Sequence, residues 1–172
     1  MSNHETVKAL LIVWHSRTGA AQQLAQAGAE GAHAVVRELN ADSELKIKLC
    51  AADDTDVDDL LAADAYLFCA PENLGSASGA MKEFFDRCYY GVLDQLNGRP
   101  YALAIAAGSD GQGAVKQIER ICTGWRLRAA APPYIAHTDA QTPEAILAAK
   151  TLTAAQRDAA QTLGGTLAAL LI

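Results

Sequence analysis

Small and hydroxyl-bearing residues directly after the first apolar segment carry the strongest chemical signal in this sequence. Residues 7–14 form a near-continuous apolar run, which is typical of a strand covered on both faces of a parallel sheet. Ser16, Thr18 and Gly19 come next, and a helical pattern begins directly after them. The first turn of a helix offers unpaired backbone N–H groups and the positive end of the helix dipole, which both favour a phosphate. We therefore predict a phosphate-binding turn here; the alternative is that Thr18 is simply the N-cap of the helix.

Two other loops of small and polar residues also follow apolar strands. The run at residues 65–70 ends at Pro71, where the missing N–H stops a ladder, and a loop continues to Ser78. The run at residues 101–107 opens into a glycine-rich loop at residues 108–113. Ligands of parallel α/β sheets bind at the carboxyl ends of the strands, so we expect the three loops to converge there. Ordinary turn chemistry is the alternative for each loop, since turns also need Gly, Asn and Ser.

The remaining segments alternate between strand and helix patterns. Residues 45–49 alternate apolar residues with lysines, as a half-exposed edge strand does, and a weaker fifth strand lies near residues 133–137. Helical patterns start at residue 19, cover residues 57–63, follow residues 78, 113 and 143, and end with a long helix at about residues 154–171. This alternation predicts an α/β fold, a three-layer sandwich in which a five-stranded parallel sheet has helices on both faces.

Apolar residues at helical spacing indicate which helix faces meet the core. The first helix packs through small residues, and the helix after residue 78 has the i, i+3, i+4, i+7 stripe of a core-facing element. Its aromatic residues are therefore interpreted as packing and not as cofactor contacts. The predicted inward residues are Leu24, Ala27, Gly31, Ala34 and Val35; Met81, Phe84, Phe85 and Cys88; and Leu163, Leu167 and Leu170.

Composition and charge argue against several classes of function. The 172 residues suit a single domain spanning residues 1–172, and the net charge of −6 without runs of Lys or Arg argues against nucleic acid and anionic membranes. Residues 1–5 do not resemble a secretion signal and no apolar run approaches a membrane span, so we expect a cytoplasmic protein. The cysteine spacing matches no zinc or redox motif, so we predict reduced core thiols and no metal site at Cys50, Cys69, Cys88 and Cys122.

Two motifs resemble those of a known superfamily. Ser16-x-Thr18-Gly19 after an apolar strand resembles the phosphate loop of the flavodoxin superfamily, usually (Ser/Thr)-x-Thr-Gly-x-Thr. Ala21 stands where that pattern has its last Thr, and Arg17 adds a fixed charge that would offset the lost hydroxyl.

The second motif is the loop after the third strand, Pro-Glu-Asn-Leu-Gly-Ser at residues 71–76. It resembles the corresponding loop of NAD(P)H-dependent FMN reductases and of multimeric flavodoxin-type NAD(P)H:quinone oxidoreductases. FMN reductases often have Pro-Glu-Tyr-Asn here, whereas this chain has Asn73 directly after Glu72 and Leu74 at the position of the Asn.

The resemblance implies a flavodoxin-like sheet of order 2-1-3-4-5, with FMN bound where the strand order reverses. The FMN phosphate would be held by the phosphate turn, which consists of Ser16, Arg17, Thr18, Gly19, Ala20 and Ala21. The isoalloxazine ring would be bordered on one side by Pro71, Glu72, Asn73, Leu74 and Gly75, and on the other by Gly108, Ser109, Asp110 and Gly111.

The resemblance also implies a function. An FMN-binding oxidoreductase would pass hydride from NADPH or NADH through FMN to a quinone, a flavin or a similar acceptor, and a non-catalytic electron-transfer protein is the alternative. Residues 72–78 and 109–113 contain no aromatic side chain to cover the ring, which favours the enzyme, whereas the acidic charge suits a carrier docking on basic partners. No catalytic residue is assigned. Relatives of this type often form a homodimer or homotetramer, in which Tyr89, Tyr90 and Trp125 would cover a neighbouring site, unless they fill the core.

The motifs of other classes of α/β protein are absent from the sequence. A receiver domain needs an acidic pair at the end of the first strand, where Trp14 and His15 stand. A dinucleotide-binding Rossmann domain needs Gly-x-Gly-x-x-Gly, and Gly19 is alone. No serine has the Gly-x-Ser-x-Gly setting of a hydrolase, and no Walker-type loop is present.

Overall fold

The computed structural model describes residues 6–172, so the expectation about residues 1–5 lies outside the described part of the chain. The described strands are β1 (Lys8–Trp14), β2 (Leu45–Ala51), β3 (Ala65–Asn73), β4 (Ser76–Ala77), β5 (Pro100–Ala107), β6 (Arg128–Ala129) and β7 (Tyr134–His137). The described α-helices are α1 (Ala20–Glu38), α2 (Val57–Ala62), α3 (Gly79–Val92), α4 (Gln112–Gly124), α5 (Pro143–Leu147) and α6 (Ala154–Leu171).

The main sheet is parallel and confirms the predicted fold class. Its order is β2-β1-β3-β5, and the position beyond β5 is shared by β6 and β7, which pair with successive parts of β5. The predicted fourth strand is therefore β5. The predicted fifth strand near residues 133–137 is β7, and β6 is a further short strand that was not predicted. Two prolines, at positions 132 and 133, lie between β6 and β7 and cannot donate to a hydrogen-bond ladder.

Each face of the sheet carries its own core. On one face the side chains of Leu11, Phe68 and Ile105 pack under α3 and α4; on the other, Leu10, Leu67 and alanines of β5 pack under α1 and α6. The predicted stripe of α3 is confirmed, since Met81, Phe84, Phe85 and Cys88 are fully buried. Because consecutive strand residues point to opposite faces, a strand buried on both faces must be apolar throughout.

Helices α1 and α6 approach each other through glycines. A Cβ added at Gly31 would lie 2.0 Å from the carbonyl oxygen of Gln161, and one added at Gly164 would lie 1.8 Å from that of Gly28. The small residues of α1 therefore meet a second helix as well as the sheet. Ala34 on α1 is exposed and Leu170 on α6 is half exposed, so the inward orientation predicted for these two residues is wrong.

The expectation that β3 ends at Pro71 is wrong. β3 continues to Asn73 and folds back on β4, with Asn73 opposite Ser76. Leu74 and Gly75 form the turn with φ values of +52° and +77°, and positive φ at both central residues is the mark of a tight type I′ hairpin. The Cys69 carbonyl oxygen accepts a hydrogen bond from His15 N at the end of β1. The nitrogen of Pro71, two residues later, lies on the same side of β3. Proline is tolerated there because β1 has already ended and no hydrogen bond to it is lost.

Among the residues described, Cys69, Cys88 and Cys122 are buried free thiols, as predicted, and Cys50 is a half-buried free thiol at the end of β2. Burial raises the pKa of the Cys69 thiol far above its usual range, which makes it inert. Trp125 is fully buried and its Nε1 donates to the backbone oxygen of Tyr89 at 3.2 Å. This tryptophan therefore fills the core and does not cover a neighbouring site. No helix within residues 6–172 is both long and apolar enough to span a bilayer.

The glycine contact between α1 and α6 yields a stability prediction. Gly164→Ala forces a methyl group against the Gly28 carbonyl, so we expect the free energy of unfolding to fall by about 2 kcal/mol. Thermal denaturation followed by circular dichroism should show Tm lowered by roughly 5 °C. Gly79→Ala is the matched control, because a Cβ there meets nothing within 4 Å, and its Tm should stay at or slightly above that of the wild type. Equal Tm values for all three proteins would contradict the close crossing.

Candidate functional site

A cleft of about 370 Å³ opens at the carboxyl edge of the sheet. Its volume falls in the range of small-molecule sites, and four chain segments line it. The lining residues are Ser16, Arg17, Thr18, Ala20 and Ala21; Pro71, Glu72, Asn73 and Leu74; Ala106, Ala107, Gly108 and Ser109; and Thr138, Ala140, Ile146, Leu147 and Lys150. The three predicted loops therefore do converge, and a fourth segment joins them.

The phosphate turn is held open toward the cleft by its own local bonds. Gly19 is the N-cap of α1 with φ +100°, a conformation that glycine adopts without strain, and its N–H donates to Ser16 Oγ at 3.0 Å. The first bond of the helix runs from Gln23 N to the Gly19 oxygen at 3.0 Å. The amides of Ala20 and Ala21 precede it, as orphan donors of a first turn do.

Thr18 is not the helix cap. Gly19 takes that position and receives no side-chain cap, and no acidic residue lies in the first turn of α1. The plain N-cap interpretation of Thr18 is therefore wrong. Thr18 is instead one of the residues that line the cleft.

The strand-three hairpin, residues 71–78, forms the second wall. The Glu72 carboxylate accepts from Gly111 N at 2.9 Å and from Ala114 N at 3.1 Å, so it caps the amino end of α4. Leu74 is fully exposed at the rim. Gly75 is not in the lining; a Cβ on Gly113 would lie 1.9 Å from its carbonyl oxygen, which shows how closely the turn rests on α4.

The loop after β5 forms the third wall with only half of its predicted residues. Gly108 and Ser109 line the cleft. Asp110 and Gly111 turn toward α4 instead: Gly111 is its N-cap with φ +97°, and the Asp110 carboxylate accepts from Gln112 N at 3.3 Å. The Asp110 carbonyl accepts from His137 Nε2 at 2.9 Å.

The fourth wall was not predicted from the sequence. We call residues 138–150 the α5 wall; it contains α5 and contributes Ile146, Leu147 and Lys150 to the cleft. Thr142 caps α5 by accepting from Ala145 N at 3.2 Å, and a proline occupies its first turn. The only sequence signal was this helix start, which says nothing about where the helix docks.

The cleft is locally positive although the chain carries a net charge of −6. Arg17 and Lys150 line it, and within residues 6–172 neither forms an ion pair with an acidic side chain. Its one acidic residue, Glu72, is satisfied by backbone donors of α4. The cleft therefore favours an anionic ligand.

His15 lies outside the lining. Its Nδ1 shares a 2.7 Å hydrogen bond with Ser78 Oγ, and Ser78 is fully buried at the start of α3. Burial lowers the pKa of His15, only partly opposed by the charge of Asp53, so the ring is neutral near pH 7. This histidine ties the end of β1 to α3.

Solved structures share this architecture. A flavodoxin from the domain Archaea has a TM-score of 0.72 at 16% identity, covering 95% of this chain and 98% of that one. A WrbA-like flavodoxin from Agrobacterium tumefaciens has a TM-score of 0.72 at 17% identity, covering 95% and 97%. An oxidoreductase from Corynebacterium diphtheriae has a TM-score of 0.70 at 20% identity, covering 96% and 97%. At these identities the likeness establishes the fold alone.

Comparisons of the sequence itself identify the family to which the chain belongs. A flavodoxin from Aquifex aeolicus (strain VF5) is 27% identical over 104 residues, 60% of this chain, and the match spans 52% of that flavodoxin, about half its length. The sequence pattern of the NADPH-dependent FMN reductase family matches residues 15–141, which contain the first three walls of the cleft. This match confirms the predicted resemblance, and FMN, the flavin in the family's name, is the predicted cofactor. The chain therefore belongs to the NADPH-dependent FMN reductase family.

Proposed function

We propose that this chain is an FMN-dependent oxidoreductase that passes hydride from NADPH or NADH to a quinone, a flavin or a similar acceptor. The observation that carries the proposal is the convergence of a helix N-terminus, hydroxyl-bearing residues and two cationic residues in one cleft bordered by the β3 and β5 loops. Within residues 6–172, neither cationic residue forms an ion pair. The assignment of the lining residues to parts of FMN belongs to the same proposal.

The phosphate turn fits the phosphate of FMN. Four residues of this turn line the cleft and offer backbone amides, a hydroxyl and a guanidinium: Ala20, Ala21, Thr18 and Arg17. Donors of these types bind phosphate oxygens by charge-assisted hydrogen bonds. Ser16 serves this turn indirectly, because its hydroxyl accepts the Gly19 N–H and fixes the loop.

The other end of the cleft fits a flat, largely apolar ring. Pro71 and Leu74 border it on one side and the alanines of β5 with Gly108 on another. A Cβ on Gly108 would lie 2.5 Å from the Ala140 carbonyl oxygen, so only glycine lets these backbones meet. Leu74 is a fully exposed aliphatic residue in a left-handed conformation, an arrangement that costs about 1 kcal/mol. An apolar ligand packed against Leu74 would remove its exposed side chain from water, which is favourable.

FMN supplies the hydride chemistry when it is bound, and the residues of this chain supply position and electrostatics. Among residues 6–172, none that lines the cleft is aromatic. The walls therefore leave a ring face open for a nicotinamide and then for an acceptor, which separates this chain from a carrier whose flavin is shielded by stacked rings. A homodimer or homotetramer remains part of the proposal; of the three aromatic residues considered for cover in trans, Tyr90 is the exposed one.

A reduction assay tests the enzyme directly. Protein incubated with excess FMN should stay yellow after desalting, and NADPH or NADH added anaerobically should bleach it faster than the same concentration of free FMN. A quinone added afterwards should restore the colour. Yellow protein that neither nucleotide reduces would favour the electron carrier, and protein that is colourless after desalting would refute tight FMN binding.

Thr18→Ala tests the phosphate turn. Loss of a hydrogen bond to a charged group should weaken FMN binding about tenfold, while riboflavin, which has no phosphate, should change less than about twofold. Titration of flavin fluorescence measures both affinities. Thr123→Ala, on the exposed end of α4, is the matched control and should leave both unchanged. An equal loss for both flavins in Thr18→Ala would contradict the assignment.

Glu72→Gln tests the bond between the hairpin and α4. The amide keeps the shape but loses the charge that faces the positive end of the helix, so the free energy of unfolding in urea should fall by about 1–2 kcal/mol. Glu38→Gln, an exposed change at the end of α1, should shift it by less than about 0.5 kcal/mol. Equal stability of both variants would show that the carboxylate does not cap α4.

A further inference from the structure

Lys150 is joined to the phosphate turn although it lies far away in the chain. Its backbone N–H donates to the Thr18 oxygen at 2.8 Å. Its carbonyl oxygen lies 3.7 Å from the place where a Cβ on Gly19 would stand. The connection between α5 and α6 therefore lies directly against the turn that precedes α1.

Gln23 fastens this contact. Its Nε2 donates to the Gly19 oxygen at 3.0 Å and to the Lys150 oxygen at 2.8 Å, and its Oε1 accepts from Leu152 N at 3.0 Å. One carboxamide on α1 thus bridges the phosphate turn and the segment that carries Lys150.

The ammonium group of Lys150 is held beside the cleft. Nζ donates to the carbonyl oxygens of Ala145 at 2.6 Å, Ile146 at 3.1 Å and Ala148 at 2.5 Å, at the carboxyl end of α5. Carbonyl oxygens at a helix end hold a cation in place but do not cancel its net charge. The carbonyls of α5 thus take all three N–H groups of the ammonium, so Lys150, a residue of the cleft lining, acts on an anion through its charge and not through a hydrogen bond.

We infer that Lys150 is a second cationic group of the phosphate site and that Gln23 is the residue that positions it. This inference rests on the proposed function. The turn lacks the hydroxyl that the flavodoxin pattern has at position 21, where this chain has Ala21. The charge of Lys150, brought to the site by the segment between α5 and α6, compensates for that loss.

The test compares FMN with riboflavin in four proteins: wild type, Lys150→Met, Lys150→Arg and Lys116→Met. Lys116 is exposed on α4 outside the cleft, so its variant carries the same change in net charge. Loss of this charge should make Lys150→Met bind FMN about tenfold more weakly, with the riboflavin affinity changed less than about twofold. Lys150→Arg and Lys116→Met should keep the FMN affinity to within about threefold. The FMN defect of Lys150→Met should shrink in high salt, because salt screens the charge.

Gln23→Met adds a readout that a purely structural role would not give. It should lower the ratio of FMN to riboflavin affinity, and adding Lys150→Met to it should cost much less than Lys150→Met costs alone, since the two residues act together. Full additivity would refute the positioning role of Gln23.

Two results would overturn the inference while leaving the proposed function intact. One is unchanged FMN affinity in Lys150→Met; the other is an equal loss for both flavins, which would make the lysine a plain structural part of the wall. Wild-type protein that binds neither flavin would refute the proposed function and the inference with it.

Discussion

The cleft exists because β1 is shorter than its neighbour. Trp14, the last residue of β1, pairs with Cys69, and β3 continues to Asn73. The edge of the sheet therefore has a step. Where β1 ends, the chain turns into α1, whose first amides have no partner within the helix. Beside it, the strand-three hairpin extends beyond the end of β1. A ligand that spans the step meets donors at one end and an apolar surface at the other, and both follow from where two parallel strands stop.

Features set by local chemistry were predictable from the sequence. The phosphate turn follows from an apolar strand, a hydroxyl-bearing turn and a glycine, and the buried stripe of α3 follows from its helical spacing. The resemblance of the phosphate turn to the flavodoxin superfamily and of residues 71–76 to FMN reductases led to the correct family. Each of these patterns lies within a short stretch of consecutive residues, so a single sequence was enough to predict them.

Features set by contacts between distant segments were missed. Pro71 was expected to end β3 because the register of β1, which frees that side of the strand, was not known. Asp110 and Gly111 were assigned to the cleft because a glycine-rich loop gives no sign that its second half caps a helix. The α5 wall docks through Gln23, whose partner lies 127 residues away. No periodicity or motif encodes such a pairing.

The α5 wall is also the part of the site with the weakest attachment. None of the residues of α5 is buried, whereas α1 and α6 are locked together through backbone contacts of glycine. Segments with few buried apolar contacts open at a small fraction of the global unfolding free energy. We therefore expect α5 to open locally while the sheet and the helix crossing stay folded, so that exchange of ligands would not require global unfolding. Amide hydrogens of this segment would then exchange with solvent orders of magnitude sooner than those of the central strands.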